Sequence, residues 1–249
     1  MPAGSTSLKD LWQSVRPSGR IFGPDITAGM PEPARRYLEH AIAPGVPLAS
    51  AVRLRMHGEI RLKGWYPFIA EQVIRREGDM LWQASVRLHG MAIEGVDRLI
   101  DGHGEMRWGL FGIVPLVRAT GADVTRSAAG RIEGESVWLP SLLCASGVTW
   151  ASSNKSHACA GLQIDGESAD LHLSLADNGR LESIAYRRWG DPDGSGYHYA
   201  DFGGYTLAER TFAGYTIPTQ MRVGWRFGSD QFESEGEFFR VTIDNAEFR

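Results

Sequence analysis

The chain has 249 residues, 43% of them hydrophobic and 22% charged, with a formal net charge of −4. That length and composition fit a globular protein with a full core and speak against both a disordered chain and a disulfide-stapled miniature. The slight acidic excess speaks against a general nucleic-acid binder, which carries a basic face.

The first residues, MPAGSTSLKDLWQSVR, lack the apolar core of a secretory leader. No apolar run of about 18 residues marks a transmembrane span. The expectation is a soluble, cytoplasmic chain. Cys144 and Cys159 are too few for a disulfide framework and are expected as free thiols.

A short helix is predicted over residues 5–16, capped by Ser5, Thr6 or Ser7, with Leu8, Leu11, Trp12 and Val15 on one face. Pro17–Met30 reads as loop. A second helix begins at Pro31–Pro33 and ends near Ile42, before Pro44–Gly45. The period then switches from helical to two: Val52, Leu54, Met56, Ile60 and Leu62 alternate with charged residues, the mark of a strand with one wet face. Further strands are predicted at Phe68–Arg76, Met80–Leu88, Ile93–Ile100 and His103–Trp108. Leu110–Val117, with Gly112 and Pro115, reads as a loop folded over the core. Residues 123–143 are a third helix, capped by Asp123 or Thr125 and stopped or kinked by Pro140.

Strands resume at Gly147–Ala151, Ser156–Ile164 and Ala169–Leu175. The Asp177-Asn178-Gly179 turn leads into Leu181–Trp189. Tyr197–Thr206, Thr211–Ile217, Gln220–Phe227 and Phe232–Ile243 complete the set. The fold class is mostly β (α+β): a large curved antiparallel sheet or half-barrel, with two or three helices packed on its concave face. Residues 1–30 form an N-terminal helix and loop extension, and residues 31–249 a single β-rich domain.

The segments PEPARRYLEHAI, VRLRMHGEIRL, W-x-P-F-x-A-E-Q, DGHGEMRWGLFGIVPLV, GESVWLPSLL and YTIPTQMRVGW together resemble an uncharacterised bacterial family. The resemblance covers roughly residues 30–249. It implies a half-barrel similar to the lipoprotein carriers (LolA-like), and by analogy an apolar concavity for acyl chains.

Asp101, His103 and Glu105 share one strand face, but three ligands from a single strand seldom converge on one ion, so a solvated face is favoured. Asp191–Gly196 starts like a calcium loop, yet Phe202 stands where a bidentate Glu is required. The basic stripe Arg53, Arg55, Arg61 and Lys63 reads as a wet face. The standard zinc, redox, hydrolase and nucleotide motifs do not occur, and neither a cofactor nor a metal is expected. Glu135 lies among Ile132, Val137, Trp138 and Leu139. If buried it must be paired or neutral, and Arg188 is the proposed partner. Trp138 on the helix is the best pocket aromatic, and Trp82, Trp108 and Tyr205 are added as ligand-lining candidates. The reading is binding or carriage of a small hydrophobic or amphipathic, lipid-like ligand between sheet and helices. The alternatives are an enzyme with a carboxylate-based site there, or a protein-interaction module using a sheet edge. The oligomeric state stays open.

Overall fold

The computed structural model describes residues 6–249. Of the three capping candidates, Ser5 lies outside the described residues. Ser7 caps α1 (Leu8–Gln13): its hydroxyl accepts from the Asp10 amide while the Asp10 carboxylate accepts from the Ser7 amide. Within Pro17–Met30, Pro24 opens one extra helical turn, α2 (Pro24–Thr27). The next helix, α3 (Glu32–Ala41), buries Ala34, Tyr37, Leu38 and Ala41.

Thirteen antiparallel strands form one open sheet: β1 (Ala51–Arg61), β2 (Trp65–Arg75), β3 (Met80–Leu88), β4 (Met91–Ile100), β5 (His103–Leu110), β6 (Val114–Thr120), β7 (Thr149–Asn154), β8 (His157–Ile164), β9 (Glu167–Leu175), β10 (Leu181–Gly190), β11 (His198–Phe212), β12 (Tyr215–Trp225) and β13 (Glu237–Phe248). Their spatial order is β6-β5-β4-β3-β2-β1-β13-β12-β11-β10-β9-β8-β7. The sheet is therefore two meanders joined along one seam, β1 against β13, with β6 and β7 as its edges.

The connection between those edges is α4 (Ala122–Glu135), followed by two 3-10 turns, Ser136–Trp138 and Pro140–Cys144. It crosses the face of the sheet. Helix α4 packs against β4, β5 and β6 on one flank and β8, β9 and β10 on the other. In a flat sheet β5 and β10 would stand about 38 Å apart, at roughly 4.8 Å per strand. One helix about 21 Å long can touch both only if the sheet curls round it. The curl forms a trough, with α4 inside it.

The structure departs from the sequence expectations at several places. Leu110–Val117 is not a loop over the core. Phe111 and Gly112 adopt positive φ (51° and 67°) and turn the chain into edge strand β6, where Pro115 is tolerated on a strand edge. The predicted break near residues 206–211 is absent. Bulges between Thr206 and Glu209 disturb the alternation within one continuous strand, and the true turn is Ala213–Gly214. The long helix ends at Glu135, and Gly121, not Asp123 or Thr125, is its N-cap. Of the three helices read from sequence, α3 and α4 lie on the hollow side. Helix α1 sits on the convex side instead, where Leu11 covers the outward-facing Val73 and Leu81.

The main core fills the trough. Leu38, Ile42, Leu54, Ile74, Leu99, Ile132, Leu139 and Leu143 are fully buried there. Contact between α4 and β10 is close: a Cβ at Gly134 would lie 2.4 Å from the Tyr186 hydroxyl oxygen. That hydroxyl donates to Gly130 O at 2.8 Å. Gly134→Ala is expected to destabilise the fold by about 1–3 kcal/mol through overpacking. Urea unfolding of the variant checks this, and an unchanged midpoint would contradict the contact.

Candidate functional site

The trough is lined largely by apolar side chains, and charged groups face α4 along its two flanks. On the first flank, Gln72 of β2, Trp82 of β3, Asp97 of β4 and Trp108 of β5 point inward. Strand alternation places Gln72 in line with Phe68 and Ile74, and pairs Trp108 with Gly95, which leaves room for the indole. Arg131 and Glu135 face them from successive turns of α4. The Arg131 Nε donates to Glu135 at 2.6 Å and its Nη1 to Asp97 at 3.3 Å. Gln72 Nε2 donates to the other Glu135 oxygen at 2.6 Å, and Trp108 Nε1 to Asp97 at 3.0 Å. The guanidinium also lies 4.9 Å from the Trp82 ring. Burial raises the Asp97 pKa against the opposing pull of Arg131. Burial likewise disfavours the Arg131 charge, but Glu135 and Asp97 hold its pKa above the ordinary arginine value.

The second flank is less well matched. Arg188 of β10 lies over Phe202 (4.6 Å) and Trp225 (5.4 Å), and its Nη2 donates to Ser127 O at 3.2 Å. Among the described residues no carboxylate lies within ion-pair distance of it, and its Nε is sealed from solvent without a partner. Burial lowers its pKa. Beside it Glu133 is 1% exposed, and its Oε1 also lacks a partner. Burial pushes the Glu133 carboxyl up to about 8, with Glu167 adding to the shift and Arg188 opposing it. At neutral pH this group is a neutral acid. Across the trough, Gln72 Oε1 and Trp82 Nε1 are unpartnered too. Among the described residues, four buried polar atoms along one helix thus lack partners, where such groups are normally paired.

At its N-terminal end α4 is pinned to the second meander. Arg126 pairs with Glu167 at 3.0 Å and stacks 3.7 Å over Trp189, whose Nε1 donates to Asp123. Tyr199 hydrogen-bonds the same Glu167.

The sequence candidates divide accordingly. Glu135, Trp82 and Trp108 meet on the first flank and Arg188 stands on the second. The expected Glu135–Arg188 pair is replaced by Glu135–Arg131, because Arg131 is one helical turn before Glu135 on the same face. Trp138 is buried in the trough, with its Nε1 donating to Pro218 O at 3.1 Å. Tyr205 is not brought to the trough. It projects from the convex side of β11, 41% exposed, against Phe227 and Phe232. Close by is an open groove of about 560 Å³ on β9–β11, lined by Asp170, His172, Arg187, Asp201 and Phe227. Sequence reasoning missed Arg131, Asp97, Gln72 and Glu133. The signals were the i−4 spacing to Glu135, and polar residues at inward strand positions.

Asp101, His103 and Glu105 do not converge. Asp101 is a turn residue with φ 49°, His103 bonds its carbonyl, and Glu105 is held by Arg98 and Arg118. In Asp191–Gly196, Asp193 bonds Ser195 and Asp191 bonds the Gly196 amide, as in an ordinary loop. The basic stripe is partly neutralised by Glu71 and Glu247. Among the described residues no His, Cys, Asp and Glu side chains are grouped as a metal ion would need. Both cysteines are free. No helix among the described residues is long and apolar enough to cross a membrane.

The profile of a family of unknown function, DUF6920, matches residues 28–248. The chain belongs to that family. The match takes in every strand, α3, α4 and both flanks of the trough, so the DUF6920 region carries the whole candidate site. No curated protein matches the chain by sequence. Among solved structures, this DUF6920 member is similar to a LolA superfamily protein from Nitrosomonas europaea. The identity is 9% and the TM-score 0.47, over 87% of this chain and 92% of that one. It is also similar to a domain from Vibrio parahaemolyticus named for outer membrane lipoprotein sorting, at 7% identity and TM-score 0.37, over 80% and 86% of the two chains. At these scores the likeness assigns no ligand to DUF6920.

Proposed function

We propose that the curled sheet is a half-barrel that binds an amphipathic, lipid-like small molecule along α4, with an anionic head group at Arg188. The observation that carries this reading is the unpaired guanidinium itself. A partly buried cation without a carboxylate is costly, and an incoming carboxylate or phosphate would supply the missing partner. Neutral Glu133 beside it donates a hydrogen bond to the same head group instead of repelling it. The apolar wall of Phe202, Tyr186 and Ile184 then receives the tail. Helix α4 has Ala128, Ala129, Gly130 and Gly134 through its middle, so little apolar side chain has to be displaced when it lifts from β10.

Native mass spectrometry of the protein mixed with a long-chain fatty acid or phosphatidic acid tests the proposal. A one-to-one complex is expected. Arg188→Met is expected to lose it by at least about tenfold, the worth of one charge-assisted hydrogen bond. The same variant is expected to keep or gain stability without ligand, because it removes an unpaired charge. A protein that stays empty with both probes, or a variant that binds as well as the original, would overturn the reading.

A further inference from the structure

We propose that the rim formed by the β1–β2, β3–β4 and β5–β6 turns docks on a membrane surface carrying anionic lipids. Strand register places these three turns side by side at one end of the first meander. They expose Leu62, Met91, Phe111, Ile113, Val114 and Leu116, with Ile113 83% accessible. Residues 111–118 are all exposed.

Two features choose a lipid surface over a protein. First, Val114, Pro115, Leu116 and Val117 are consecutive strand residues, so they point alternately to both faces of the hairpin. A protein docked on one face leaves the other apolar face wet, whereas a fluid interface covers both. Second, the charges round these side chains are mostly basic. Lys63, Arg87, Arg107 and Arg118 are exposed, and Arg107 faces Arg118 directly across the β5–β6 pair. Arg118 reaches Glu105 only at 3.7 Å and stays 75% exposed. Three carboxylates lie near these cations: Glu94, Glu59 and Glu105, of which Glu59 is already 3.6 Å from Arg240 and Glu105 is held by Arg98. Apolar tips set in a basic collar match the headgroup layer of an anionic bilayer. Pairing of β6 with another strand is opposed by Pro115, which has no amide proton, and by the like charges of Arg107 and Arg118.

This surface is separate from α4 and stands whether or not the trough holds a ligand. Co-flotation of the full chain with vesicles tests it, using phosphatidylcholine alone and phosphatidylcholine mixed with phosphatidylglycerol. The protein is expected to float with the mixed vesicles, less so as salt is raised. Ile113→Asp with Leu116→Asp is expected to weaken this by at least about tenfold. Loss of each of Arg107 and Arg118 is expected to weaken it about fivefold. Leu207→Asp, at an equally exposed leucine on β11 away from the rim, is expected to float as the original does. Thermal melts confirm that the rim variants remain folded. Absence of flotation, equal flotation with both vesicle types, or rim variants that float normally would overturn the proposal. So would a concentration-dependent dimer in sedimentation that Ile113→Asp abolishes, since that assigns the patch to a second copy of the chain.

Discussion

Arg131→Met is expected to lower the unfolding free energy by about 3–5 kcal/mol, the usual cost of removing one partner from a buried ion pair. Among the described residues Arg131 is the one cation that pairs with both Asp97 and Glu135, and all three side chains are at most 21% exposed. Without it, two carboxylates face each other across the trough with only Gln72 and Trp108 as donors. Set against a typical stability of about 5–15 kcal/mol, that is a large fraction. Urea midpoints measure it. The triple variant Arg131→Met, Asp97→Asn, Glu135→Gln is expected to recover most of the loss, because it removes the stranded charges while keeping similar volumes. If the triple variant is no more stable than the single one, the loss comes from packing and not from charge.

Glu133→Gln is expected to flatten the pH dependence of stability. The folded carboxyl titrates at about 8 and the unfolded one near 4.5. Between those values the folded protein holds a proton that the unfolded chain has released. Stability from this group is therefore full below about 4.5, falls as pH rises, and is wholly lost above about 8. The glutamine variant cannot ionise. It is expected to match the original near pH 4.5 and to exceed it by about 2–4 kcal/mol above pH 8. Urea midpoints at those two values decide the matter, and parallel profiles for the two proteins would show that Glu133 does not carry the shifted titration.

Period-two patterning makes most of the sheet legible in the amino-acid sequence. Met80–Leu88 is located to the residue, and β1 to within two at each end. The signal fails where strands leave the half-wet rule. Strand β6 is exposed on both faces, so Val114–Val117 has no polar alternation to read. Strand β11 carries bulges that put Leu207 and Ala208 out of phase. The order of the strands is not legible, because the β1–β13 seam joins residues far apart in the chain and leaves no local mark. Glu135 stands out as a carboxylate among apolar residues, and it is tied into a polar network. Its partner is misassigned from sequence, although Arg131 stands four residues before it on the same predicted helix. Asp97 and Gln72 stay hidden, since one inward polar residue in a strand looks like ordinary noise in the pattern.

The seam also governs when the molecule can be completed during synthesis. Each meander is built from neighbouring hairpins and can pair as its strands leave the ribosome. Strand β1 emerges early, yet one of its two backbone edges belongs to β13, the strand of this sheet farthest along the chain. Until β13 has been made, Val52, Leu54 and Met56 sit beside an open hydrogen-bonding edge, the kind of surface that recruits stray strands. A ribosome stalled after β12 therefore holds two half-sheets that cannot yet join, and truncations that remove β13 should aggregate rather than yield a smaller folded protein.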